Sequence, residues 1–329
     1  MDSKCCEVAG PMLQTNRMEL VYGAKVVSRL SLVGIWTVLS AVLADGWNVP
    51  VADLDLCAES LRLMEVKSPG IQPAARLTKV ALMTKKGPVF TRLSEIASDD
   101  WKQLYEPMEL NEMPYRIMKP IQFDKSKRYP LILSLHGGGG RGSDNQKQLK
   151  KWNQQLAESE RRTRFPCYVL APQAKELWDA SDLKNIKTVI KNLPSVDMNR
   201  IYVLGHSMGG HGTYIFIQLD PDYFAAAAPS AGSGLKQTEN FIEPAKIKDL
   251  PIWAFHGDKD GVCPIEKDQM VFDAMRSNGG NMKFTIWKGD SHAVSGKFIV
   301  GGENGVTTFS SDRCDTEPDF MTWLFKQKR

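Results

Sequence analysis

Val203–Tyr214 reads VLGHSMGGHGTY, and within it Gly205, Ser207 and Gly209 stand at G-x-S-x-G spacing directly after the apolar run IYVL. A serine there can act as a nucleophile. On a sharp strand-to-helix turn its Oγ projects above a sheet, and small residues two before and two after remove a steric clash. Such a serine needs a base, a carboxylate to hold that base, and two backbone N–H groups for the oxyanion. Three further loops supply candidates. His136-Gly137-Gly138-Gly139-Gly140 follows the apolar run LILSL. Glycine lets a backbone amide approach a developing oxyanion, so we assign the N–H groups of Gly138 and Met208, with Gly137 or Gly139 as alternatives to Gly138. A phosphate loop would need G-x-x-x-x-G-K-[ST], but Ser143 follows Gly142 and no lysine is in place.

The carboxylate comes from His256-Gly257-Asp258-Lys259-Asp260-Gly261, after PIWAF. Asp260 lies further along the loop and precedes a glycine, so it is preferred over Asp258. The alternative role for Asp258 is to cap the turn or pair with Lys259. The base is assigned by elimination among five histidines. His136, His206 and His256 occupy strand ends inside other motifs, and His211 begins the helix after Ser207. His292, in Asp290-Ser291-His292, is the histidine C-terminal to Asp260. The order Ser207, Asp260, His292 implies acyl transfer through a covalent acyl-enzyme, with no cofactor. There is no H-E-x-x-H and no zinc spacing among cysteines and histidines, so no metal is expected.

The elements around these loops must position them. From about Leu104 the chain alternates short strand candidates, several of them continuous apolar runs, with helical stretches. The runs are MPYRIMKP, LILSLHG, CYVLAP, IYVLG, FAAAAPSAG, PIWAFHG and KFTIWKG. Helices are expected over roughly Asp144–Glu160, Asp182–Leu193, Gly210–Leu219 and Ile265–Ser277, with a closing helix in DFMTWLFKQK. Strands that are apolar throughout are buried on both faces, as parallel strands are. The fold class is therefore α/β, a mostly parallel sheet with helices on both faces, and ligands bind beyond its C-terminal strand ends.

The remainder of the chain is less patterned. The 329 residues are 42% hydrophobic and 24% charged with net charge +4, ordinary for a globular protein and without a basic, aromatic-laced block for nucleic acid. Leu30–Ala44 is uncharged, follows Lys25 and Arg29, and ends in Val42 and Ala44 before Asp45. Residues 1–44 therefore read as a leader with a signal peptide, and Met18 would give a more usual start. The run is short for a membrane span of about 20 residues, so no span is expected after cleavage. Residues 45–103 are interrupted at Pro50, Pro69, Pro73 and Pro88 and form an extension without a strong strand pattern. An exported chain can hold disulfides. Cys167, in an apolar run, reads as a buried small side chain, whereas Cys263 and Cys314 flank the candidate loops and admit a bridge.

YPLILSLHGGGGRGSDNQKQLK, PCYVLAPQ, NRIYVLGHSMGGHGTY and PIWAFHGDKDGVCPIE together resemble the secreted bacterial α/β-hydrolases labelled predicted peptidases. They are also similar to polyhydroxybutyrate-depolymerase-like and feruloyl-type esterases, and more distantly to dienelactone hydrolase and the prolyl oligopeptidase catalytic domain. The resemblance spans about 104–329 and implies an α/β-hydrolase catalytic domain with Ser207, Asp260 and His292 as nucleophile, acid and base. It leaves esters and peptides both open as substrates, and the first reading is a secreted or periplasmic carboxylesterase on small-molecule or polymer-linked esters. The peptidase alternative usually carries a large gating domain, which some sixty weakly patterned residues are too few to build. A non-catalytic binding protein would have lost part of this residue set. The all-glycine loop after His136 departs from these families. So does the segment AVSGKFIVGGENGVTTFSSDRCDTEPD after His292, read either as a cleft wall contributing Phe298 or Phe309 or as a surface excursion. Trp178, beyond another strand end, is a further candidate for the cleft or for the core.

Overall fold

The computed structural model describes residues 61–65, 78–84, 87–92, 100–233 and 241–329. The leader, the cut site before Asp45 and Cys57 lie outside the described residues. Two compact units divide at Asp100. In the first, strands β1 (Leu61–Glu65), β2 (Thr78–Thr84) and β3 (Gly87–Arg92) form an antiparallel sheet in the order β1-β2-β3. The sequence pattern gave no strong strand signal there, because Pro88 stands inside β3 and the turn residues interrupt any alternation. Its position next to the start of β3 is one that proline tolerates.

The second unit, Trp101–Arg329, is built on a nine-stranded sheet. Its strands are β4 (Glu106–Leu110), β5 (Met113–Met118), β6 (Tyr129–Leu135), β7 (Tyr168–Pro172), β8 (Val196–His206), β9 (Ala226–Ser230), β10 (Ile252–Gly257), β11 (Met282–Trp287) and β12 (Gly305–Phe309). The spatial order is β12-β11-β10-β9-β8-β6-β7-β5-β4. The six strands from β11 to β7 pair in parallel, while β4 and β5 on one edge and β12 on the other are antiparallel. The helices are α1 (Lys151–Leu156), α2 (Ser159–Arg164), α3 (Ala180–Asn192), α4 (Met208–Leu219), α5 (Pro244–Ile247), α6 (Ile265–Ser277) and α7 (Phe320–Lys326).

Alternating residues explain the continuous apolar runs. On β6, Leu131, Leu133 and Leu135 enter one core and Ile132 the other. On β10, Ile252 and Ala254 face the first core while Trp253 and Phe255 face the second. Each strand thus feeds two layers with a period of two. The chain reverses its direction of strand addition between β6 and β8, which leaves a crevice beyond their C-terminal ends. The glycine loop and Ser207 both stand at that crevice.

Three details depart from the sequence expectation. The helix over Asp144–Glu160 is instead a turn followed by the two short helices α1 and α2. Part of the long segment after His292 becomes β12, a strand on the sheet edge, whose alternating Val306 and Thr308 pair with β11. No Cys263–Cys314 bridge forms. Both are buried free thiols, and Cys314 Sγ donates to Met282 O at 3.4 Å beside Ser310. Alkylation of the denatured, unreduced protein is therefore expected to label Cys167, Cys263 and Cys314 fully. A Cys263–Cys314 cross-linked peptide in the mass map would contradict these positions.

Candidate active site

The turn after β8 is set by two close approaches. A Cβ on Gly209 would lie 2.0 Å from Leu135 O, and one on Gly205 would lie 2.5 Å from the Gly209 carbonyl. Neither position admits a side chain, so the ends of β6 and β8 and the start of α4 meet backbone to backbone. Between the two glycines Ser207 adopts φ 58° and ψ −122°. A non-glycine residue in that region is strained, and the surroundings hold it there. Its own N–H donates to Ser230 O at 2.8 Å.

This turn aims Ser207 at His292. Ser207 Oγ is 2.9 Å from His292 Nε2, and His292 Nδ1 is 2.7 Å from Asp260 Oδ2. A carboxylate oxygen only accepts, so Nδ1 carries the proton of a neutral ring and Nε2 accepts from the serine hydroxyl. Asp260 is buried, and its Oδ1 also accepts from the N–H groups of Val262 and Cys263, each at 2.8 Å. Burial alone would raise this carboxyl. The hydrogen bond from His292 and the two backbone N–H groups outweigh it and hold the group below the usual carboxylate range. The arrangement can transfer the serine proton to His292 and stabilise the resulting imidazolium. Asp258 does something else: it accepts from Gly289 N–H at 2.6 Å and faces Lys288 at 3.9 Å, so it clips the turn after β11 rather than pairing with Lys259.

The glycine loop folds as a short 3-10 turn over Gly138–Gly140. Its bonds run from Gly140 N–H to Gly137 O and from Arg141 N–H to Gly138 O, which leaves the Gly138 N–H outside the turn's ladder. Met208 is the first residue of α4, where the amide has no intrahelical partner. A Cβ on Gly137 would lie 3.5 Å from Ser207 Cβ, so the loop passes close to the serine. A Cβ on Gly138 would meet nothing within 4 Å, so the Cα of that residue borders open space.

His136 anchors this loop. Its Nδ1–H donates to Gly137 O at 2.8 Å and its Nε2 accepts Ala174 N–H at 3.0 Å, which fixes the tautomer. Burial pushes it down to about 4. Trp178 Nε1–H donates to His136 O at 3.2 Å, and the two rings lie 4.8 Å apart. Trp178 is therefore a buried prop beneath the loop and not a cleft residue. Phe298 is also buried, packed on Trp152, Phe255 and Phe320. Phe309 is exposed, but it pairs with Lys283 near the start of β11, at the sheet end away from Ser207. None of the three reaches the site.

The other histidines near Ser207 are neutral core groups. His206 Nδ1 lies 3.0 Å from Ser230 Oγ, its ring centre lies 4.7 Å from that of His292 with the planes tilted, and burial pushes it down to about 3. His211 packs on Phe241, and burial pushes it down to about 4. The sequence reading missed Asp268 on α6, whose Oδ2 lies 2.6 Å from His256 Nδ1. The signal was present. Asp268 shares the helix face of Val271, Phe272 and Met275, and an acid on a buried stripe needs a partner.

Comparisons with known proteins fit this geometry. Residues 153–298 match the dienelactone hydrolase family, a span that holds Ser207, Asp260 and His292 and leaves the glycine loop outside. A crystal structure of a thermostable esterase superposes with a TM-score of 0.54 at 25% identity, covering 84% of this chain and 78% of that one. A bifunctional acetylxylan esterase/xylanase of Neocallimastix patriciarum is 30% identical over 144 residues, 42% of this chain and 20% of that protein. An uncharacterized peptidase of Bacillus subtilis (strain 168) is 22% identical over 217 residues, 54% and 33% of the two chains. An uncharacterized secreted protein of Arthroderma benhamiae is 22% identical over 212 residues, 53% and 22%. The chain thus spans a third or less of the length of these curated relatives. Among the described residues no helix is long and apolar enough to cross a membrane.

The buried histidines give a stability prediction. His136, His206 and His211 bind protons near pH 6.5 when unfolded but only near pH 3 to 4 when folded. The unfolded state therefore holds more protons between about pH 4 and 6.5, so stability falls as pH falls through that window. His256 is raised instead, and its stabilisation is complete below pH 6.5, so it does not offset this loss. At ~1.4 kcal/mol per pKa unit the combined loss is on the order of several kcal/mol. The urea midpoint is expected to drop clearly from pH 7 to pH 4.5, and an unchanged midpoint would contradict these neutral burials.

Proposed function

We propose that this chain, an α/β-hydrolase fold carrying a dienelactone hydrolase family domain, is a serine carboxylesterase. The observation that carries the reading is the unbroken line from strained Ser207 through His292 to Asp260, at 2.9 and 2.7 Å. His292 Nε2 takes the hydroxyl proton as Ser207 Oγ attacks the ester carbonyl. Asp260 keeps the ring in its productive tautomer and offsets the imidazolium charge. The oxyanion is received by Met208 N–H, at the positive end of α4, and by Gly138 N–H of the glycine loop. His292 returns its proton to the leaving alcohol, and water then attacks the acyl-enzyme by the same route.

Esters are the first choice of substrate because the thermostable esterase shares most of its length with this chain. The acetylxylan esterase relative supports polymer-linked esters as well as small ones. The relative named a peptidase keeps amide cleavage as a second reading for the same machinery. Export fits the uncharged Leu30–Ala44 run after Lys25 and Arg29, and one relative bears the name of a secreted protein. N-terminal sequencing of protein recovered outside the cytoplasm is expected to begin near Asp45, and a retained leader would refute export by this route.

A panel of p-nitrophenyl esters beside chromogenic peptides tests the chemistry. Ser207→Ala is expected to lower kcat by roughly 10³-fold or more with KM little changed. Asp260→Asn should lower kcat by about 10⁴-fold, since the ring loses its tautomer. Asp258→Asn should leave kcat within about threefold, because it removes a turn clip rather than a ring partner. Equal turnover by wild type and Ser207→Ala would refute the nucleophile, and peptide turnover without ester turnover would reverse the choice of substrate.

A further inference from the structure

A second histidine stands behind Asp260. His256, at the end of β10, is fully buried. Its Nδ1 is 2.6 Å from Asp268 Oδ2, and its Nε2 is 2.8 Å from Cys263 O and 3.2 Å from Asp260 Oδ2. We propose that His256 is a positioning residue that carries a proton on both ring nitrogens and places its charge beside the Asp260 oxygen that His292 uses. This rests on the reading of Ser207, His292 and Asp260 as the hydrolytic machinery.

The protonation follows from the partners. A peptide carbonyl only accepts, so Nε2 facing Cys263 O must carry a hydrogen. Nδ1 faces a carboxyl oxygen at a distance typical of a charge-assisted hydrogen bond. The short contact therefore holds a second proton, and with it on the ring His256 is an imidazolium. Every polar neighbour is consistent with that charge. Asp268 comes from α6, and Tyr214 of α4 donates to its other oxygen at 3.4 Å. Asp260 and Cys263 lie on the loop that follows β10, His206 approaches from the end of β8, and His292 lies beyond Asp260. Burial opposes a charge on His256. The Asp268 hydrogen bond and charge, the Cys263 carbonyl and the Asp260 charge outweigh it, and the ring is raised above its ordinary value.

The consequence falls on Asp260. Its Oδ1 accepts from two backbone N–H groups, and its Oδ2 accepts from His292 and lies 3.2 Å from His256 Nε2. The carboxylate cannot rotate without losing one of these bonds. A cation beside Asp260 also draws on the oxygen that His292 uses.

Nitrogen-15 NMR of the full chain tests this without needing turnover. Wild-type His256 is expected to show both ring nitrogens protonated from pH 6 to 8, with the signals assigned by their loss in His256→Gln. Asp268→Asn should leave His256 with one proton. In both variants the His292 ring signals at pH 7 are expected to move, because the oxygen that accepts from His292 Nδ1 loses the cation beside it. A neutral His256 in the wild type overturns the proposal. So do unmoved His292 ring signals in whichever of the two variants folds, since a purely structural role would lower stability and leave those signals alone. Absence of ester turnover with the expected NMR behaviour would instead count against the esterase reading.

Discussion

The contact between the first turn of α4 and the carbonyl at the end of β6 governs this site. With Gly209 packed on Leu135 O, there is no space for a Cβ, and the chain must turn from β8 into α4 within the residues between Gly205 and Gly209. That forces positive φ on Ser207, and the strained serine projects beyond the sheet. The same contact brings the glycine loop beside it, because the loop begins where β6 ends. Candidate nucleophile and candidate oxyanion donors are thus placed by one backbone-to-backbone approach. His136 and Trp178 secure it from below through hydrogen bonds to loop carbonyls and the Ala174 amide.

Burial then separates the histidines by role. His136, His206 and His211 lie in apolar surroundings, without a carboxylate bonded to a ring nitrogen, and stay neutral. His256 is buried as well, but Asp268 and the Cys263 carbonyl give it two acceptors, so the same burial yields the opposite outcome. His292 sits at the rim, about a quarter exposed, with one carboxylate partner and one hydroxyl partner. Exposure alone does not rank these groups. The number and kind of acceptors around each ring does.

Much of this was legible in the sequence because it is local. Apolar runs broken by glycine gave the parallel strands, and α6 at Ile265–Ser277 follows from its buried stripe of Val271, Phe272 and Met275. Ser207, Asp260 and His292 could be ordered because each follows a strand of a sheet whose ligands gather at one end. What was not legible depends on packing between elements distant in the chain. Trp178 and Phe298 looked like cleft residues because aromatic side chains near strand ends serve either role. Only the His136 carbonyl over one and the Trp152–Phe255–Phe320 cluster around the other decide for the core. β12 was hidden in a Gly/Ser-rich stretch because an edge strand with one exposed face needs few apolar residues.

Lys283 shows the same limit. In KFTIW it reads as a polar residue flanking a strand, yet its side chain is buried on β11 with Nζ 3.5 Å from the centre of the Trp253 ring. It donates to Glu317 O at 2.6 Å, and burial pushes it down to about 8. A cation there is tolerated because aromatic faces and a carbonyl replace part of its hydration. Asp268 and Lys283 are thus parallel cases: each is a charged residue on a buried face, and each is held by a partner that the local pattern does not name. The difference lies in where the partner leads. From Lys283 the contacts run to the carbonyl before α7 and stop at the sheet edge. From Asp268 they run through His256 to Asp260, and so to His292 beside Ser207, which ties that buried acid to the candidate site and leaves Lys283 part of the scaffold.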